Sequence, residues 1–183
     1  MRSEKERVLD AYLAASARLG DKQALGCLAE RWNPKLLAHA WRLTGETDLA
    51  ADVVQEAWMD IIKGVARLND TDAFAAWAFR IVTRRCARAI RKRQHQRAGQ
   101  AALAREPEPE AEDASGNEDC AELAIVKAAM RELPPDQRAA LGLFYLEDLR
   151  IAEIAVALDT APGTIKTRLM HARHKLRAQL QGD

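Results

Sequence analysis

Two stretches of this chain carry cation after cation with no acid among them, and both have helical spacing. In the first, Arg80, Arg84, Arg88 and Arg91 recur three and four residues apart, with Arg85, Lys92, Arg93 and Arg97 beside them. No Asp or Glu lies between Asp72 and Glu106. In the second, Thr164, Lys166, Thr167, Arg168, His171, Arg173, His174, Lys175 and Arg177 surround an apolar stripe. No acid lies between Asp159 and Asp183. A one-signed helix face attracts polyanions, because each neutralised phosphate releases condensed counterions. The ordinary alternative, a solvated surface helix, usually mixes both signs. A third set has the opposite charge. Asp52, Gln55 and Glu56 stand at i, i+3 and i+4 on one helix face, flanked by Asp48 and Asp60. Such a patch suits a basic partner surface, although read alone it is equally a solvated face.

Enzyme chemistry finds little support. No glycine-rich phosphate loop is present. The four histidines and three cysteines form no recognisable dyad or triad. His171 and His174 lie one turn apart, as metal ligands can, but no second pair is near in sequence. The expectation is a binding protein with no enzymatic activity, no metal and no cofactor.

The elements that must position these residues read as helices throughout. Ala, Leu, Arg and Glu abound, glycine is sparse, and β-branched residues are scattered rather than alternating. A leading helix over residues 4–19 places Val8, Tyr12, Ala15 and Leu19 on one side, facing the first domain. A second helix, about 22–43, carries the stripe Leu25, Leu28, Ala29, Trp32, Leu36, Ala40 and Leu43. After a turn at 44–48, where Thr47 or Asp48 can cap, a third helix runs over about 48–68. Its apolar side is Leu49, Val53, Ala57, Trp58, Ile61, Ile62 and Val65. A short polar loop, 69–72, precedes a fourth helix over about 73–93 with Phe74, Trp77, Ala78, Ile81, Val82 and Ala89 inward. These stripes are wide enough for a helical bundle.

From Gln94 to Cys120 the periodicity stops. This segment, rich in Pro, Ala and acid, has too little apolar surface to offset chain ordering, so a flexible acidic linker is expected over 94–120. The domains are then 1–93 and 121–183, both all-α. The second holds a helix marked by Leu123, Val126, Met130 and Leu133, another over 137–146, and a helical pair. That pair is 150–158, with Ile151, Ile154, Ala155 and Leu158 inward, then a turn at 159–163, then about 162–180 with Ile165, Leu169, Ala172 and Leu176 buried. Pro162 suits the first helical position. A short helix, a tight turn and a longer cationic helix make a helix-turn-helix, whose second helix fits the major groove.

The 183 residues allow two small domains, and the net charge of +1 hides the segregation just described. Cys27, Cys86 and Cys120 are odd in number and far apart, which argues for a reducing compartment. The charged N-terminus has no signal-peptide core, and no stretch approaches the roughly 18 apolar residues of a membrane span. A cytoplasmic protein without membrane insertion is expected.

Several motifs in order carry a family resemblance: Asp52-Val53-Val54-Gln55-Glu56-Ala57-Trp58; Phe74 and Trp77-Ala78-Phe79-Arg80-Ile81; Leu133-Pro134-Pro135-Asp136-Gln137-Arg138; Glu153-Ile154-Ala155; and Gly163-Thr164-Ile165-Lys166-Thr167-Arg168-Leu169. Over about 25–180 the chain resembles the extracytoplasmic-function sigma factors of the sigma-70 family. The resemblance implies a sigma region 2 in the first domain and a region 4 in the second. It implies that Asp52, Gln55 and Glu56 grip core RNA polymerase. It implies that Asn69, Asp70 and Thr71, with Arg80, Arg84, Arg85, Arg88, Arg91 and Lys92 on the following helix, read the promoter −10 element, including a base flipped from the opened strand. It implies that Thr164, Lys166, Thr167, Arg168, His171, Arg173 and Lys175 read the −35 element. An anti-sigma factor that holds the protein inactive is expected from the same likeness. The chain departs from the family pattern at Ala51, Arg84, Arg88 and Ala161, and at Asp159, where glycine is usual. Two other readings stay open: a stand-alone helix-turn-helix regulator, and a sigma-like decoy that binds only an anti-sigma protein.

Overall fold

The computed structural model describes residues 4–101, 126 and 128–181. Among these the secondary structure is entirely helical, in two packed groups. The first group comprises α1 (Glu4–Arg18), α2 (Lys22–Thr44), α3 (Thr47–Gly64), a 3-10 turn (Val65–Arg67) and α4 (Phe74–Ala101). The second comprises a helical stretch at 128–131, then α5 (Pro135–Tyr145), α6 (Ile151–Ala157) and α7 (Pro162–Gln181). The expected linker lies outside the described residues from 102 to 125. Its first part does not: α4 continues past the expected end at Arg93 to Ala101.

Asp21 starts α2 by accepting hydrogen bonds from the backbone N–H groups of Gln23 (2.8 Å) and Ala24 (3.1 Å). Gly45 ends it at φ 74°, with its N–H on the Trp41 carbonyl at 2.8 Å; only glycine adopts this left-handed position without crowding. Neither Thr47 nor Asp48 caps α3. The cap position is Glu46, whose side chain makes no capping bond. Asp48 falls in the first turn instead, where the helix dipole favours an acid.

Trp32, Phe74 and Phe79 form the centre of the first core. Trp32 meets Phe74 edge-on at 5.4 Å and Phe79 at 5.6 Å, the geometry that the ring quadrupoles favour. Leu28, Leu36, Ala57, Ile61 and Val82 close around them, all fully buried. Burying each large side chain contributes about 1.5–3 kcal/mol. Gly64 lets the end of α3 approach α4, since a Cβ there would come within 2.8 Å of the Trp77 ring.

Two apolar stripes differ from the sequence expectation. On α1 the buried residues are Asp10, Leu13, Ala14 and Ala17, while Val8, Tyr12 and Leu19 are 61%, 67% and 84% exposed. The small residues let α1 lie close against α2, and buried Asp10 accepts a bond from Arg31 Nε at 2.9 Å, which satisfies the charge. On α3, Ile62 is exposed, and Ala50 and Val54 take inward places. Cys27 is exposed and Cys86 buried, and both thiols are free.

The second core is built from Leu133, Ala139, Leu143, Leu149, Ile154, Ile165, Leu169 and Ala172. Pro135 opens α5, because its missing N–H costs nothing at a first helical position. The start of α6 is fixed by Glu153, whose carboxylate accepts the Arg150 N–H at 2.6 Å. Its end is closed by two backbone bonds, Asp159 N–H to Val156 O (3.2 Å) and Thr160 N–H to Ala155 O (3.0 Å), with Asp159 at φ 51°.

The two groups pack together, with α5 against α2 and α6 against α4, along a seam where buried charges sit beside the joined apolar cores. Arg138 of α5 is buried. Its Nε donates to the Arg42 carbonyl at 2.9 Å and its Nη1 to the Arg131 carbonyl at 3.1 Å, and its guanidinium lies 5.3 Å from the Trp41 ring centre. Glu147 is buried between Lys35 (3.6 Å) and Arg42 (3.9 Å). Gly142 permits this approach: a Cβ would sit 2.7 Å from the Cδ and Nε of Arg42. Burial pulls the Arg42 guanidinium below the usual arginine range, with Arg138 adding to that and Glu147 opposing it.

Candidate nucleic-acid interface

The cationic face of α4 is real but not unopposed. Arg80 and Arg84, one helical turn apart, both reach Asp159 in the turn between α6 and α7. Arg80 Nη2 lies 2.6 Å and its Nε 3.2 Å from Asp159 Oδ1, and Arg84 Nη2 and Nε lie 3.2 and 3.3 Å from Oδ2. The hydrogen bond from Arg80, followed by that from Arg84, holds the Asp159 carboxyl below the ordinary carboxylate range despite partial desolvation. Arg85 turns the other way. Its Nε donates to Asp60 at 2.7 Å and its Nη1 to Glu56 at 2.5 Å. Arg93 pairs with Glu46. Exposed Arg88, Arg91 and Lys92 complete the face, Arg91 folding back onto the Ala87 carbonyl at 3.2 Å. The expectation of a cation run free of acid was sound in sequence but fails in space, because the acids arrive from other elements.

The loop ahead of α4 holds Asn69 and Asp70 exposed and Thr71 half-buried. Asp70 accepts the Asp72 N–H at 3.0 Å, a local turn that fixes the loop. Arg18 Nη1 adds a bond to the Leu68 carbonyl at 3.3 Å. Thr71 and Asp72 face a cavity of about 300 Å³ whose other walls are Arg7 and Ala11 of α1 and Arg150 and Glu153 of the second domain. Of the loop residues that the resemblance assigns to −10 reading, Thr71 thus shares a cavity with the helix-turn-helix, while Asn69 and Asp70 stay exposed.

On α7 the buried stripe is Ile165, Leu169 and Ala172, with Leu176 half-buried. That leaves Thr164, Lys166, Thr167, His171, Arg173, His174 and Lys175 exposed. Thr167 returns its hydroxyl to the Gly163 carbonyl at 3.2 Å. Two of the expected −35 residues are held in place by neighbours. Arg168 Nε lies 3.0 Å from Asp136, and Arg173 stacks over Phe144 (5.4 Å) and Tyr145 (5.5 Å). Held guanidinium groups reach a base edge with less ordering cost than free ones. His171 and His174 both face solvent, and among the described residues no cluster of three or more His, Cys, Asp and Glu has the makings of a metal site.

Asp52 and Gln55 of α3 are exposed, away from the second domain, and Glu56 joins them while also pairing with Arg85. Met59 (53% exposed) and Ile62 (48%) extend this face with apolar surface. Sequence reasoning missed these two, and it placed Ile62 inside. It also missed Asp159 as the partner of Arg80 and Arg84. The signal available was an aspartate at a turn position that favours glycine.

Comparison with known proteins matches this geometry. Residues 28–96 match the Sigma-70 region 2 family and residues 123–176 the Sigma-70 region 4 family. The chain is 33% identical to the ECF RNA polymerase sigma factor SigM of Mycobacterium tuberculosis, over 94% of this chain and 85% of that protein. It is 25% identical to the ECF RNA polymerase sigma-E factor of Haemophilus influenzae, over 96% and 97%. Among solved structures it resembles the sigma factor RpoE of Bartonella quintana, solved with the anti-sigma factor NepR (TM-score 0.67, 27% identity, 85% of this chain and 95% of that one). It also resembles CnrH, solved with the cytosolic domain of CnrY (TM-score 0.66, 26% identity, 96% and 99%). With both regions matched in order, on two helical domains that carry separate cationic faces, the chain belongs to the extracytoplasmic-function sigma factors of the sigma-70 family.

Proposed function

We propose that this sigma factor divides its work among three surfaces. The exposed Asp52, Gln55 and Glu56 face of α3 binds core RNA polymerase. The loop at Asn69, Asp70 and Thr71, with Arg80, Arg84, Arg88, Arg91 and Lys92 of α4, takes the −10 element. The outer face of α7, from Thr164 to Lys175, takes the −35 element. Arg85, tied to Glu56 and Asp60, serves by orienting the polymerase face rather than by meeting DNA. The observation that carries this reading is the division of α7 into a buried apolar stripe and an outer face of cations and hydroxyls, set on a domain apart from the α3 carboxylates. The domain plan stays 1–93 and 121–183, with α4 running on from the first domain to Ala101.

The protein acts in the cytoplasm and has no catalytic centre of its own. Among the described residues no helix is long and apolar enough to cross a membrane. An anti-sigma protein holds it inactive. One similar structure was solved with an anti-sigma factor and another with the cytosolic domain of CnrY, and the seam here offers a groove of about 470 Å³ lined by Leu37, Trp41, Ala50, Met130 and Leu146, which belong to both domains. A partner helix seated there would hold the two together.

The test is run-off transcription with purified chain, core polymerase and a library of promoter fragments. Initiation from a defined subset is expected, with none from core alone. Duplex binding by the chain without any complex with core polymerase would instead establish a stand-alone regulator. Capture of an anti-sigma protein with neither DNA nor polymerase binding would establish a decoy.

A further inference from the structure

Among the described residues, two besides glycine have left-handed backbones: Asp148 (φ 52°) and Asp159 (φ 51°). They flank α6, the first helix of the helix-turn-helix, and arginines of the first domain grip both. Arg7 of α1 donates to the Asp148 carbonyl at 2.5 Å, and its guanidinium lies 3.8 Å from the carboxylates of Asp148 and Glu153. Arg80 and Arg84 of α4 hold the two oxygens of Asp159. A left-handed position is one where glycine costs least, and aspartate is merely among the better tolerated alternatives. At the residue after a helix end, glycine is also the commonest solution. The backbone therefore gives no reason for an aspartate at 159; its carboxylate does. It presents two oxygens to two guanidinium forks one turn apart, as a backbone phosphate does.

We propose that Asp159, assisted by Asp148 at the other end of α6, is a latch that closes the helix-turn-helix on the first domain by filling, as a phosphate mimic, the anion site between Arg80 and Arg84. This rests on the reading of α4 as a nucleic-acid surface. The closed form cannot serve a whole promoter. The −10 and −35 elements are separated by about 25 base pairs, roughly 85 Å at 3.4 Å per pair. Here the turn that leads into α7 lies within hydrogen-bond distance of α4. Opening exchanges one anion for another on the same two arginines, so the isolated chain binds nucleic acid weakly and the opened one binds it well.

The test is fluorescence anisotropy of the full chain with a single-stranded oligonucleotide of arbitrary sequence, at fixed low salt. Asp159→Asn keeps shape and left-handed tolerance without the charge, and Asp159→Gly relieves the backbone as well, so both variants fold. Each is expected to bind about three- to tenfold tighter than the unsubstituted chain, from the size of exposed ion pairs. Glu132→Gln, with the same charge change at an exposed site away from the latch, is the control and leaves affinity unchanged. Asp159 variants that bind no tighter than the control overturn the latch and leave the DNA role of α4 standing. Adding Arg80→Gln and Arg84→Gln to Asp159→Asn is expected to abolish the gain. If it does not, the arginines are not the anion site, and the mimicry fails with the reading it rests on.

Discussion

His39 is fully buried on α2, its Nε2 2.9 Å from the Thr83 hydroxyl and its ring edge-on to Phe79 at 5.0 Å. Burial, and secondarily the Arg42 charge, push its pKa down from 6.5 to about 3. The folded protein therefore holds this imidazole neutral where the unfolded chain would protonate it. A lowered folded value means the unfolded state binds more protons below pH 6.5, so stability present above 6.5 is lost as pH falls toward 3. Urea unfolding at pH 7.5 and 5.5 should show about 1 kcal/mol of loss that His39→Gln largely removes; an equal loss in the variant would assign the acid sensitivity elsewhere. At this scale the sequence was legible where chemistry follows from residue type alone. The arginines of α4 and the polar face of α7 could be named from charge and spacing. Their partners could not: Arg80 meets Asp159 across 79 positions and Arg85 meets Glu56 across 29, and spacing says nothing about pairs so distant.

Helical periodicity located every described α-helix of the first domain and the helix-turn-helix, because apolar stripes on α2, α4 and α7 are set by the cores they face; it ran the third helix to 68, where α3 ends at Gly64 and a 3-10 turn follows. It failed on α1, where Val8, Tyr12 and Leu19 made a more hydrophobic stripe than the alanines that pack. There, close approach of small side chains and the Asp10–Arg31 pair outweigh apolar area. It also ended α4 early, since Gln94 to Ala101 extend a helix without an inward stripe to announce it. On α3 the division of labour is testable. Val53, Ala57 and Ile61 hold the core, so Asp52 on the opposite face can change without loss of fold. Asp52→Lys is expected to weaken core polymerase binding about tenfold, measured by competition against an unsubstituted chain, with circular dichroism unchanged. Asp52 is the cleaner probe, because a lysine at Glu56 would also repel Arg85. Unchanged affinity would remove Asp52 from the contact.

The association of the two domains was beyond the sequence altogether. Arg42 of α2, Arg138 of α5 and Glu147 just after α5 are all buried where α5 lies on α2, and no apolar stripe marks them as inward. Burying a guanidinium is costly unless it is bonded or paired: Arg138 donates to the Arg42 and Arg131 carbonyls, and Arg42 has the Glu147 carboxylate 3.9 Å away. Such a seam sets buried charges beside apolar side chains of both domains, so its fit depends on those hydrogen bonds as well as on apolar contact. Gly142 is a point of close approach. Its missing side chain faces Arg42 of the other domain, so a larger residue there wedges the seam. Gly142→Leu also raises intrinsic helix propensity by up to about 1 kcal/mol, which protects α5 itself. The expected outcome is a larger radius of gyration by small-angle scattering with helical content unchanged, and oligonucleotide binding that rises as Arg80 and Arg84 are released. If the radius does not change, Arg42 has swung aside to admit the new side chain, and the seam is held by Glu147 and Arg138 rather than by close approach at this glycine.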